Sequence, residues 1–198
     1  MTGERQTAAS IKHIRYDHVA RYEWAAGQLW QLPQAMSSRV LDVACGIGYG
    51  SKILAEAGFR VTAAEKDPAA LWQQGLHYAH ERVEVRPMDL DVINELPKAR
   101  AVVCFETIEH IKDDVRLAQM LRGSSTLLLA SVPNQTAMPF DPARFPFHHR
   151  HYTKSEFEML LRAAGYTTFE WFGQNGKYGA VETLNEHAAR TIVVRASA

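Results

Sequence analysis

The sequence predicts an α/β fold, a mostly parallel sheet wound with helices on both faces. Three observations predict it. Short β-branched and apolar runs alternate with helical stretches from residue 39 to residue 133, the pattern of consecutive strand–helix–strand units. A glycine-lined turn, "CGIGYG" at 45–50, leads from the first of these runs into the first helix. Two closing runs, 167–172 and 190–196, are separated only by residues 173–189, too short for a usual crossover helix, so that pair reads as an antiparallel hairpin.

The elements follow in order. Residues 1–8 are polar and read as frayed. Between Ile11 and Leu32, Ile14, Val19, Tyr22, Ala26, Leu29 and Trp30 recur at helical spacing, which predicts two helices ending before Pro33. "RVLDVA" (39–44) is the first strand, and 49–57 a helix stopped by Gly58. "FRVTAAE" (59–65) is the second strand, followed by a helix opened by Pro68. "RVEVRP" (82–87) and "RAVVCFE" (100–106) are strands three and four. A helix is expected over 107–121, ending at Gly123, and "STLLLASVP" (125–133) is a buried fifth strand. Residues 134–150 form a long irregular loop rich in Pro, Phe and His, and 155–164 a helix that ends at Gly165 before the closing hairpin.

Composition narrows the function. At 198 residues the chain makes one sizeable domain. Its 22 basic residues balance its 22 acidic ones, so no global field attracts nucleic acid or anionic membrane. Two cysteines, Cys45 and Cys104, both in apolar contexts, suit a reduced setting. No run reaches membrane-spanning length and the N-terminal stretch has no apolar leader, so a cytoplasmic location is expected.

The glycine turn carries the chemistry. A sharp strand-to-helix turn needs positive φ, and a ligand approaching the backbone needs room; glycine provides both. One glycine would serve a plain turn, whereas Gly46, Gly48 and Gly50 all occur. A dinucleotide fingerprint wants G-x-G-x-x-G, but here Ser51 holds the last slot. Asp42 beside the turn would repel a pyrophosphate and suits a cationic ligand. S-adenosylmethionine (SAM), with an ammonium and a sulfonium and no phosphate, is such a ligand. Glu65 ends the second strand, where a carboxylate can accept from both ribose hydroxyls, and Asp89 follows the third, where it can accept from an adenine amino group.

"VLDVACGIGYG", "VTAAEKD", "MDLD", "FETIEH" and "SVPN" resemble, in order, the motifs of class I SAM-dependent methyltransferases. The resemblance covers about residues 11–196. "DHVARYEWA" and "HHRHYTKSEFEMLLRAAGY" are similar to a small-molecule branch related to the ubiquinone-pathway O-methyltransferases. It implies one domain over 1–198, with a helical lid in 1–34 and a Rossmann-like core over 39–196. The implied sheet is seven-stranded and doubly wound, of order 3-2-1-4-5-7-6, with the last strand antiparallel. It further implies that SAM, with S-adenosylhomocysteine (SAH) as product, lies over strands one, two and four. Asp42, Ala44, Gly46 and Gly48 match the loop, Glu65 and Lys66 the ribose edge, Asp89 and Leu90 the adenine edge, and Phe105 and Glu106 the stretch under the methionine moiety. Tyr16 and Arg21, on the lid helix, are placed to reach the SAM carboxylate, with ordinary packing roles as the alternative.

A second constellation stands on the acceptor side. A helix beginning near Thr107 would project Glu106, Glu109 and His110 to one side of the strand end. "PFHHRHY" places His148, His149 and His151 on the loop after strand five. Three readings compete: a helix N-terminus complemented by Glu109 with packing histidines; His110, or a loop histidine, as general base; and a divalent metal held by Glu106, Glu109, His110 and His148, the ligand spacing that resembles small-RNA 2′-O-methyltransferases. Phe140, Phe145 and Phe147 are a hydrophobic latch or an acceptor-pocket wall. Trp24, Trp30, Trp72 and Trp171 are read as core or helix-packing residues, and Cys45 as a small packing residue.

The leading expectation is therefore methyl transfer from SAM to an oxygen or nitrogen of a small molecule. A metal-assisted 2′-O or catechol-type transferase and a non-catalytic SAM-binding regulator are the alternatives. Neutral charge argues against nucleic acid as acceptor.

Overall fold

The computed structural model describes residues 6–33, 38–176 and 179–198. Residues 1–5 of the polar N-terminal stretch, residue 34 of the expected lid and residues 177–178 of the closing hairpin lie outside them.

The chain runs α1 (Tyr16–Trp30), β1 (Arg39–Val43), α2 (Tyr49–Glu56), β2 (Arg60–Glu65), α3 (Pro68–His77), β3 (Val83–Pro87), β4 (Ala101–Phe105), α4 (Asp114–Ser124), β5 (Leu127–Pro133), α5 (Lys154–Ala163), β6 (Thr168–Gln174), β7 (Glu182–Thr183) and β8 (Thr191–Ser197). The sheet order is β3-β2-β1-β4-β5-β8-β6-β7. Strands β1 to β5 pair in parallel, and β8 lies antiparallel between β5 and β6. The expected order holds, with β8 as the expected seventh strand. A two-residue strand, β7, is added at the edge of β6; it is too short to announce itself in a sequence.

Period-two alternation divides the sheet's side chains between two cores. Leu41, Val43, Val102, Cys104, Leu128 and Ala130 pack with Leu117, Leu121, Phe157 and Leu161 of α4 and α5. Val40, Ala101, Val103 and Leu129 pack with Ala25, Leu29, Leu54 and Ala70 of α1, α2 and α3. Both faces are covered, which is why β4 and β5 are buried without interruption.

Four expectations are corrected. The N-terminal region holds a 3-10 turn, Ile11–His13, and one α-helix rather than two full helices. The helix expected over 107–121 divides: Ile108–His110 is a 3-10 turn, Ile111 is extended, and α4 starts at Asp114. Asp113 caps α4 by accepting from Arg116 N, and that cap sets the start. Gly123 lies inside α4 rather than ending it. Of the four tryptophans, Trp24 packs on Phe105 and Phe172, and Trp171 on Phe157. Trp30 is 48% exposed, though it still lies against Phe59, and Trp72 is 68% exposed, outside the core.

Candidate active site

The C-terminal ends of β1, β2 and β4 converge on the glycine turn. The backbone there leaves ordinary territory: Ala44 has φ 55°, Gly46 φ 58°, Gly48 φ 84°, and Glu106, at the end of β4, φ 48°. Two non-glycine residues in left-handed conformations at the mouths of adjacent strands mark a strained, over-determined site.

Glu65 ties the turn down. Its Oε2 accepts from Gly46 N at 2.9 Å, and its Oε1 from Lys66 N at 2.9 Å and Asp67 N at 3.0 Å. The carboxylate thus fixes the glycine turn to the end of β2. Lys66 reaches across to Asp91 at 2.8 Å and Asp89 at 3.3 Å. Asp89 also accepts from Asp91 N, and these hydrogen bonds hold its carboxyl below the usual range. Leu90 is buried beside it. The ribose- and adenine-edge candidates therefore form one polar rim.

Asp42 is not at the mouth of the turn. Alternation along β1 puts it on the same face as Val40, under α1 and α2, where it is fully buried. Its Oδ1 accepts from Tyr22 Oη at 3.0 Å and its Oδ2 from Ser51 Oγ at 2.6 Å. Burial pushes its pKa up to about 7, against the lowering effect of those two hydroxyls. Asp42 fastens α1 and α2 to β1; it does not present an open carboxylate to a cation. Gly50 serves the same junction, since a Cβ there would lie 2.0 Å from the Tyr22 ring.

Gln74 of α3 was given no role by the sequence. It is buried against the turn, a Cβ on Gly48 would lie 2.4 Å from its Cγ, and its Nε2 has no hydrogen-bond partner among the described residues. Cys45 is buried beside it, its thiol pushed up by burial, which suits a packing role. Phe105 packs edge-on against Tyr22.

On α1, Tyr16 is 48% exposed, whereas Arg21 is buried. Arg21 Nη1 donates to Gln174 Oε1 at 2.6 Å, and among the described residues its Nε has no hydrogen-bond partner. No carboxylate lies within 4 Å of the guanidinium among the described residues. His18 sits nearby on Tyr49 Oη at 3.1 Å, and burial, then the Arg21 charge, depress its pKa to about 3. Gln174 and Tyr49 gave no sequence signal, because what they hold comes from distant elements.

The acceptor-side cluster differs from expectation in one member. Glu106 turns away along β5: its Oε1 accepts from Ser131 Oγ at 2.7 Å, and its N–H bonds Ser131 Oγ at 3.1 Å. Glu109 is buried within the 3-10 turn, so the two acids do not share a helix face. His148, by contrast, comes to the turn. Its ring centroid is 4.5 Å from that of His110, and one ligand atom each of Glu109, His110 and His148 lie within 4.8 Å of one another. The loop is held there by His149 N donating to Glu109 O at 2.7 Å. Burial, then the neighbouring His110 and His151, depress His148 to about 4, so its imidazole is neutral at physiological pH. Phe145 stacks on His148, and Phe140 lies against His151, while Phe147 is exposed. The loop phenylalanines thus buttress the histidines.

Among the described residues no helix is long and apolar enough to cross a membrane. Comparison with known proteins shows the family. Residues 16–170 match a family described as a methyltransferase domain. A probable S-adenosylmethionine-dependent methyltransferase of Mycobacterium tuberculosis is 36% identical over 144 residues, covering 68% of this chain and 50% of that protein. A ubiquinone biosynthesis O-methyltransferase of Xanthomonas campestris is 30% identical over 146 residues, covering 70% of this chain and 56% of that one. The chain thus spans only about half the length of these two relatives. Among solved structures, a SAM-dependent methyltransferase from Thermotoga maritima, described as a possible histamine N-methyltransferase, superimposes with TM-score 0.71 over 92% of this chain and 90% of that one. At 13% identity that likeness shows the fold alone.

Proposed function

The chain belongs to the SAM-dependent methyltransferases, and from that premise we propose that it transfers a methyl group to an oxygen or nitrogen of a small-molecule acceptor. The observation that carries this reading is the placement of the Glu65-anchored glycine turn and the histidine cluster at neighbouring strand ends of one sheet. SAM, when bound, supplies an electrophilic methyl group.

The residues present fit that cofactor. Among the described residues nothing lies within 4 Å of where a Cβ of Gly46 would stand, so the backbone there is open to close approach. Glu65 and Lys66 would hold the ribose edge, Asp89 and Leu90 the adenine edge, and the Phe105–Glu106 segment the methionine moiety. Arg21 is a buried cation with an unused Nε–H, the chemistry a carboxylate needs. Asp42, Ala44 and Gly48 act indirectly, by shaping the turn. Tyr16 stands at the first turn of α1, at the edge of the lid.

His110 is the candidate general base. Its Nδ1 lies 3.0 Å from Phe147 O, a contact that only an N–H can make, so its Nε2 keeps the lone pair that can take the acceptor's proton. A surface cleft lined by Gln135, Phe140, Arg150, His151 and Glu156 opens on the same loop and suits an acceptor carrying polar groups.

A second reading is favoured by the approach of His148 to Glu109 and His110. A carboxylate with two imidazoles suits Mn²⁺ or Co²⁺, and such an ion would bind a vicinal diol. Glu106 would join only by leaving Ser131.

A labelled-SAM screen across phenols, sugars, amines and RNA, with and without EDTA, tests both. Turnover that survives EDTA and falls in His110→Ala, with SAM affinity kept, supports the base. Turnover abolished by chelation and restored by Mn²⁺ or Co²⁺ supports the metal. Saturable SAM binding without transfer to any acceptor would favour a regulator, and absence of SAM and SAH binding in calorimetry would overturn the proposal.

A further inference from the structure

We propose that His151 is a positioning residue that sets the proton position of His148, leaving Nε2 as the bare nitrogen that His148 contributes to its cluster with His110 and Glu109. The inference rests on the reading of Glu109, His110 and His148 as the acceptor-side cluster. It deepens that reading by naming what prepares the cluster for work.

The assignment follows from the order of acceptors along a short chain of contacts. His151 Nδ1 lies 2.7 Å from the backbone carbonyl of Met138. A carbonyl oxygen only accepts, so Nδ1 of His151 carries the proton and its Nε2 carries a lone pair. His148 Nδ1 lies 2.9 Å from that Nε2. With the lone pair on the His151 side, His148 must donate, so its proton sits on Nδ1 and its own Nε2 is bare. His110 reaches the same state independently, through the carbonyl of Phe147. Two carbonyl groups on one loop therefore fix two imidazoles with both outer nitrogens unprotonated, one directly and one through His151.

The start of this relay is built in. Asn134, at the end of β5, is buried; its Nδ2 donates to Ala189 O at 2.6 Å and Glu186 O at 2.8 Å, and its carbonyl accepts from Met138 N at 2.8 Å. Met138 is thus held to the sheet. His151 is itself buried, and Phe145 contacts both rings, stacking on His148 and meeting His151 edge-on with centroids 4.6 Å apart. The rings have little room to turn, so the proton order is imposed by geometry. Hydrogen bonding of a second ring nitrogen commonly orients a ligating or catalytic histidine in this way.

The test reads ring protons directly. Long-range ¹H–¹⁵N spectra of the ¹⁵N-histidine-labelled full chain at neutral pH should show His148 protonated on Nδ1. In His151→Phe, which keeps an aromatic ring and loses the acceptor, the His148 proton should shift to Nε2. In His151→Gln, whose amide oxygen can accept, it should remain on Nδ1. Co²⁺ affinity, followed by calorimetry and the visible spectrum, should fall roughly 10- to 100-fold in His151→Phe and stay close to wild type in His151→Gln. A wild-type His148 protonated on Nε2, or a proton that stays on Nδ1 in His151→Phe, overturns the proposal. The wild-type spectrum alone decides it if the Phe variant fails to fold. Failure of the wild type to bind Co²⁺ would overturn the metal reading, while the ring spectra would still decide the relay.

Discussion

Removing the Glu65 carboxylate should weaken SAM and SAH binding by about ten- to a hundredfold. Glu65→Ala takes the acceptor away from three backbone N–H groups. Lys66 N and Asp67 N adjoin Glu65 in sequence and lie at a part-exposed edge, where water can replace the carboxylate. Gly46 N cannot move toward another partner without moving the turn. One unreplaced hydrogen bond to a charged group amounts to about 1.5–3 kcal/mol, and each 1.4 kcal/mol is a tenfold change in affinity. The same loss should lower Tm by roughly 3–12 °C in a chain of this size. Glu65→Asp separates the two roles of the carboxylate. It keeps the charge that a ribose would use but withdraws it by one C–C bond, about 1.5 Å, which breaks the 2.9 Å contact to Gly46 N. Glu65→Asp should therefore lose most of the affinity that Glu65→Ala loses. Calorimetry with SAH on the two variants measures this. Wild-type affinity in Glu65→Ala would refute the placement of the cofactor, and wild-type affinity in Glu65→Asp would refute the tie to the turn.

The other predictions concern the junctions around the site. Gly50→Ala should destabilise by about 1–3 kcal/mol despite alanine's better helix propensity, because its Cβ meets the Tyr22 ring at 2.0 Å; Gly75→Ala in α3, with nothing within 4 Å, should be neutral or stabilising in the same thermal melts. The folded pKa of Asp42 is raised from 3.8 to about 7, so its favourable contribution is complete below the unfolded value and is lost as pH rises through about 7. Wild type should thus lose up to about 4 kcal/mol relative to Asp42→Asn between about pH 4 and pH 7, read from denaturant midpoints; a pH-independent difference would sink the argument. Thr153→Ala removes one half of the capping box with Glu156 at the start of α5, and should cost about 1 kcal/mol in urea unfolding.

The succession of strands and helices along the chain, the glycine turn, the acids after β2 and β3 and the stops at Gly58 and Gly165 were legible because each depends on neighbours within a few residues, whereas the order of strands in the sheet came from the family resemblance. The start of α4 was written in the sequence as well, in Asp113 and its reach to Arg116 N, although the helix was expected from residue 107. The direction of the Asp42 side chain could have been read from alternation with Val40, the same rule that separates the two cores.

What the sequence by itself determined is therefore the backbone plan and the chemistry available at the strand ends. The tertiary structure alone decided which groups face one another. Glu106 bonds Ser131 rather than joining Glu109, since β4 and β5 are register neighbours. Arg21 is buried against Gln174, 153 residues away. His148 meets His110 only because the loop after β5 is anchored at Asn134 and pinned to the 3-10 turn through His149. Local preferences act over one or two turns of chain, whereas these contacts come from closing long loops around a sheet. Their partners are selected by packing in three dimensions, and no sequence spacing records them.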